Sequence, residues 1–163
     1  MRFCYMELAE SDIRQTIKIR DMAEINQYRK ELRNKIIAYA MREFHQRGVK
    51  AVKMDEISRG LRVSKRTVYE IFGDKEELLL AGMKIERAEY KARVEEYALA
   101  HARNVMDVIG YIYRLQMERN QQVGVVFYEE IHRMPRILEF LKEEHDKEYD
   151  DSMRFFQAGV DEG

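Results

Sequence analysis

The chain has 163 residues, 45% hydrophobic and 36% charged, with one proline, eight glycines and a formal net charge of −1. That length holds one domain, or one small domain joined to a second helical one, and the scarcity of proline and glycine beside many Glu, Lys, Arg, Met, Leu and Ala points to an almost wholly helical chain. No stretch approaches the ~18 apolar residues of a membrane span, no signal-peptide pattern opens the sequence, and Cys4 has no second cysteine to pair with, which together fit a reducing cytoplasm.

The near-zero net charge hides a division. Residues 30–75 carry 12 basic and 6 acidic side chains, residues 76–163 carry 12 and 19, and residues 1–29 balance. A basic module joined to an acidic one implies that only the first faces a polyanion. Chance segregation in a charge-rich helical chain is the competing explanation.

In chain order, residues 1–29 are mixed and weakly periodic. Met22 is the expected start of the protein proper, with the first 21 residues an upstream artefact or a frayed end; the alternative is a helical arm. Basic arms of this kind reach the minor groove, but this one has no net positive charge. From Lys30, Leu32, Ile36, Ile37, Ala40 and Phe44 form one apolar stripe at helical spacing, and Gly48 supplies a left-handed C-cap. A short helix follows with Met54, Ile57 and Leu61 on one face. Its N-terminus has Lys53 where a hydroxyl or carboxylate cap would serve better by ~1 kcal/mol, and Asp55 and Glu56 partly offset this through the helix dipole.

Residues 61–64 read as a tight turn. Ser64 is a good N-cap for the next helix, in which Val68, Ile71 and Phe72 face the core while Arg66 and Glu70 face away, with Lys65 and Tyr69 on one flank. Gly73 ends this helix, and Asp74 with Glu77 gives a variant capping box for the one after it. Two short helices at a steep angle, the second with a basic leading end, suit insertion into the DNA major groove. The helix after Asp74 is expected to run from Lys75 to about His101. Residues 104–119 and 121–133 look like two more, and Pro135 starts the last.

Glu129-x-x-His132 has the spacing of half a carboxylate-bridged di-iron site, but a second Glu-x-x-His is missing. His45, His101 and His145 have no partner at ligand spacing, and no phosphate loop, nucleophile elbow or hydrolase triad is visible. No enzyme activity, cofactor or metal is therefore expected. Tyr111, Tyr113, Met117, Phe127, Tyr128, Phe140, Phe155 and Phe156 either fill a core or line an apolar pocket.

The stretch Phe44-x-x-x-Gly48, Ile57-Ser58, Val63-Ser64, Thr67-Val68-Tyr69, Phe72 and Asp74-Lys75-Glu76-Glu77-Leu78 resembles the DNA-binding domain of the TetR/AcrR family of bacterial transcriptional regulators. The resemblance spans about residues 30–90; beyond it only the helical layout is similar. It implies an all-α fold: a three-helix bundle with a helix-turn-helix at about residues 53–72, followed by a partial helical ligand and dimerisation domain over residues 91–163, with residues 1–29 an extension. It also implies a ligand-responsive repressor that binds a palindromic operator on double-stranded DNA as a homodimer, with a small-molecule effector. A helical adaptor without specific DNA binding, or a non-functional remnant, is the alternative.

By the same resemblance Lys65 and Arg66 approach bases or phosphates, Thr67 and Tyr69 bind phosphates behind the Ser64 cap, and Lys75 pairs with a phosphate at a helix N-terminus. Arg66 is the expected base reader, since a bidentate arginine–guanine contact discriminates by ~1–3 kcal/mol. Glu70 either accepts from a cytosine amine or is simply solvated. Two residues depart from the family pattern. Arg62 stands where family members usually have a glycine, and a left-handed arginine there costs roughly 1–2 kcal/mol. Lys53 replaces the usual hydroxyl cap. Both are expected to be phosphate contacts that compensate for their poor local fit. Ala158-Gly159-Val160-Asp161-Glu162-Gly163 resembles the loop that precedes the family's last two helices, so truncation is expected.

Overall fold

A computed structural model describes the backbone of residues 2–161 and the side chains of residue 22 and residues 24–149. Among these residues there are seven helices: α1 (Arg2–Arg47), α2 (Met54–Gly60), α3 (Lys65–Ile71), α4 (Lys75–Ala100), α5 (Val105–Gln122), α6 (Val125–Ile131) and α7 (Pro135–Asp161). The fold is all-α.

The chain forms two compact units, Met1–Ile36 and Ile37–Gly163. In the first, helix extends from Arg2, well before the stripe expected from Lys30, with no proline to interrupt it. Leu32 and Ile36 are buried while Met22, Ile25 and Tyr28 are exposed. The side chain of Cys4 lies outside the described residues.

The second unit buries most of the apolar positions that periodicity picks out, leaves Leu61 and Ile71 only partly covered, and adds Met41, Leu78, Leu79 and Met83. Ile37, Ala40, Met41 and Phe44 of α1, Met54 and Ile57 of α2, Val68 of α3, Phe72 just after it, and Leu78, Leu79 and Met83 of α4 are buried. A Cβ on Gly82 would fall 2.3 Å from the Met41 sulfur and 3.4 Å from Ile37 Cγ2, so the close approach of α1 and α4 depends on its absence. Local caps set the helix starts. Asp74 accepts from the Glu77 N–H at 2.7 Å, while the Glu77 carboxylate reaches back to the Gly73 N–H at 2.9 Å. Asn104 and Asp107 repeat this arrangement at the start of α5: Asn104 accepts from the Asp107 N–H, and Asp107 from the Arg103 N–H, each at 3.0 Å. In both cases the return bond goes one residue earlier than in a standard capping box.

Between α5 and α6 the chain breaks at Val123 and Gly124, later than the sequence suggests. The Gly124 N–H donates to the His45 carbonyl of α1 at 2.8 Å, a tertiary contact that fixes where α6 begins. Val108, Leu115, Val123, Phe127, Ile131 and Ile137 are buried, and the Tyr97 and Tyr111 rings of α4 and α5 stack with centroids 4.0 Å apart. Arg87 of α4 pairs with Glu144 and Glu148 of α7, and burial lowers its pKa from the usual value.

α7 continues through Ala158–Asp161, where a loop was expected; an interior glycine such as Gly159 costs only about 1 kcal/mol of helix propensity. Glu162 and Gly163, the end of that expected loop, lie outside the described residues, as do the side chains of Phe155 and Phe156.

Candidate nucleic-acid interface

The bend between α2 and α3 is a Schellman turn. The Val63 N–H bonds to Ser58 O at 3.0 Å and the Arg62 N–H to Arg59 O at 3.1 Å, which places Arg62 in the left-handed region with φ 56°. Arginine therefore occupies the position at which glycine carries no Cβ penalty. Its side chain is exposed at the turn. Arg62→Gly is expected to raise the unfolding free energy by about 1 kcal/mol, measurable by urea denaturation. If Arg62 also grips a phosphate, the same variant lowers the log–log salt slope of DNA binding by about 0.9. A gain in stability with an unchanged slope would remove Arg62 from the interface.

Ser64 caps α3 as expected. It accepts from the Thr67 N–H at 3.0 Å, and the two hydroxyls lie 2.7 Å apart. Val68 and Phe72 anchor this short helix from beneath, leaving Lys65, Arg66, Tyr69 and Glu70 exposed on its outer side. Each leading cation already has a carboxylate. Lys65 Nζ is 2.9 and 3.1 Å from the two Asp55 oxygens, across from α2, and Arg66 Nε donates to Glu70 Oε1 at 2.7 Å. These hydrogen bonds are the first cause of the raised pKa of both side chains. Lys65 also sits 5.8 Å above the Tyr69 ring.

Beside α3 lies an open depression of about 380 Å³ lined by Lys53, Met54, Asp55, Tyr69, Asp74 and Lys75. Three of the expected DNA ligands thus share one concave surface. Lys53 makes no cap hydrogen bond to α2, since an ammonium has no lone pair to accept from the helix N–H groups. Lys53→Ala is expected to leave stability within ±0.5 kcal/mol while lowering the salt slope by about 0.9. Titrations at several salt concentrations check this.

Lys75 is placed differently. Its Nζ donates to the carbonyls of Val49 at 2.7 Å and Val52 at 2.9 Å, closing the α1–α2 loop onto the start of α4. Burial, the largest influence, lowers its pKa, against the charges of Glu130 and Glu56. The same loop is gripped from the other side: the Lys50 N–H donates to Glu130 Oε2 of α6 at 2.9 Å. Neither contact is legible in the linear sequence. His45, near the end of α1, packs edge-on to Phe127 of α6 with centroids 4.7 Å apart, and its Nε2 lies 3.3 Å from Glu86 of α4. Arg119 of α5 reaches the other Glu86 oxygen at 3.2 Å. The loop next to α2 and α3 is therefore tied to α4 through Lys75 and to α6 through Glu130.

Of the half di-iron spacing, Glu129 lies on α6 and His132 just after it. His132 Nδ1 lies 2.7 Å from the Tyr128 carbonyl, Glu129 is exposed, and among the described residues no group of three His, Cys, Asp or Glu side chains could hold a metal. No described helix is long and apolar enough to cross a membrane.

A capped short helix that exposes Lys65, Arg66 and Tyr69, set against α2 through a Schellman turn, defines a DNA-binding protein of the helix-turn-helix class. Residues 36–81 match the family described as bacterial regulatory proteins, tetR family. The segment from the end of α1 to the start of α4 is thus similar to the DNA-binding domain of tetR-family regulators. The fold of the chain is similar to that of a protein from Saccharomonospora viridis assigned as a transcriptional regulator and crystallised in complex with choline. The TM-score is 0.69 and the identity 20%, over 82% of this chain and 72% of that one. No curated protein matches the sequence.

Proposed function

We propose that this protein is a ligand-responsive repressor that binds a palindromic operator as a homodimer. In this reading residues 30–90 contact double-stranded DNA, and residues 91–163 hold a small-molecule effector and the dimer contacts. The observation that carries it is the exposed outer side of α3, where Lys65, Arg66 and Tyr69 stand clear of a buried Val68. Coupling is supported by the bonds from Glu130 and Gly124 to the loop and to the end of α1, because a shift of α6 cannot leave those groups in place. An effector that favours one position of α6 then favours one spacing of two recognition helices. Release follows when that spacing no longer matches the ~34–36 Å between successive major grooves.

Choline in the Saccharomonospora viridis protein makes a quaternary ammonium the first effector class to screen. Aromatic faces that attract cations are present in the regulatory half: Arg114 lies 6.0 Å from the Tyr97 ring centroid and 5.7 Å from that of Tyr111.

Fluorescence anisotropy with duplex from the region upstream of the coding sequence, set beside scrambled duplex, tests the reading. Selective binding that weakens on adding the effector supports a repressor released by ligand. Equal weak binding to both duplexes, with a monomer in sedimentation, would refute the dimeric, operator-specific reading and favour a helical adaptor or remnant.

A further inference from the structure

We propose that Glu70 is a specificity-determining residue: it holds the Arg66 guanidinium by its Nε–H, leaving the two terminal amino groups to read a guanine. The inference rests on α3 being the recognition helix. Arg66 Nε and Glu70 Oε1 are 2.7 Å apart, one helical turn separating them, and both side chains are exposed. Arginine can meet guanine O6 and N7 either through Nε and one terminal nitrogen or through both terminal nitrogens. With Nε already donating to Glu70, only the second geometry remains.

The carboxylate acts a second time through its charge. A free arginine at the head of a recognition helix swings readily to a phosphate, which carries no sequence information. Tied to Glu70, Arg66 would bring a negative charge toward the phosphodiester with it. Glu70 therefore works against backbone binding while it orients the group that reads a base. Lys65 cannot take the same role, because its ammonium, bonded to Asp55 on the neighbouring helix, has no planar fork with which to meet guanine O6 and N7 together. A carboxylate that only stabilised α3 would affect all duplexes alike. One that positions Arg66 has opposite effects on selective and unselective binding.

Selection from a randomised duplex library with the full chain first gives the preferred site. The base pair at which Arg66→Ala loses its preference, expected to be roughly a 5- to 150-fold loss, identifies the guanine. At that position Glu70→Ala should erode the preference about tenfold, within the range one positioned bidentate contact supplies, while tightening binding to scrambled duplex. Glu70→Gln keeps an acceptor for Nε without the charge. It should also tighten scrambled binding yet retain most of the base preference.

Preference at that base pair unchanged in Glu70→Ala, or weaker binding of Glu70→Ala to scrambled duplex, would overturn the assignment. So would a uniform loss of affinity across all duplexes. If the wild-type chain enriches no sequence at all, the recognition reading itself fails and this inference falls with it, an outcome distinct from an enriched site that ignores Glu70.

Discussion

Gly48→Val should lower the unfolding free energy by about 3 kcal/mol and weaken DNA binding with it. Two independent costs combine. The residue sits at φ 82°, where an L side chain pays roughly 1–2 kcal/mol, more for a β-branched one. A Cβ there would also stand 2.7 Å from Val126 Cγ1 and 3.0 Å from Glu130 Oε2, so these α6 side chains must be displaced, at roughly 1–3 kcal/mol for overpacking. The displaced carboxylate is the one that accepts from the Lys50 N–H, which ties the backbone distortion to the loop bearing Lys53. Urea denaturation with linear extrapolation measures the loss. A double-mutant cycle separates the two causes: Gly48→Ala in a Val126→Ala background should recover the packing share and keep the conformational one. Wild-type stability for Gly48→Val would show that neither the left-handed turn nor the seat of α6 is as described.

What the sequence reveals and what it hides divide along the range of the interactions. Features set within four or five residues are legible: the stripe from Leu32 to Phe44, the caps at Ser64 and Asp74, the poor cap at Lys53 and the left-handed strain at Arg62 all follow from local geometry. The Arg66–Glu70 pair was also within reach, because i,i+4 side chains meet on any helix. The partners of Lys75 and Lys50 were not, because they are two backbone carbonyls 26 and 23 residues away and a carboxylate 80 residues away. Periodicity finds faces, and it cannot say which polar group will come to rest on them. The break before α6 escaped for the same reason, being fixed by a bond from Gly124 to the end of α1. Even the family resemblance, which gave Lys75 a phosphate, could not show the two carbonyls that it holds here.

Lys75→Met is therefore the variant that separates resemblance from geometry, with an expected loss of about 2 kcal/mol of stability. The substitution keeps the apolar stem and removes both donors, leaving the Val49 and Val52 carbonyls without their partner at roughly 1–3 kcal/mol each when buried, and less at this half-buried site. The salt slope of DNA binding should fall by well under the ~0.9 of a lost phosphate contact, because two of the three ammonium protons are committed to carbonyls. The pH dependence has a definite sign. Burial sets the folded pKa below the unfolded value, so the unfolded chain binds more protons between the two. Stability contributed by this group then rises as pH climbs through that window toward the ordinary lysine value, and is lowest where the folded side chain is fully charged. The neutral amine still has two N–H groups for the two carbonyls, so deprotonation relieves the burial penalty without breaking the brace. Lys75→Met should lose this alkaline rise. A full ~0.9 drop in slope with stability intact would mean instead that the ammonium leaves its carbonyls for a phosphate when DNA binds.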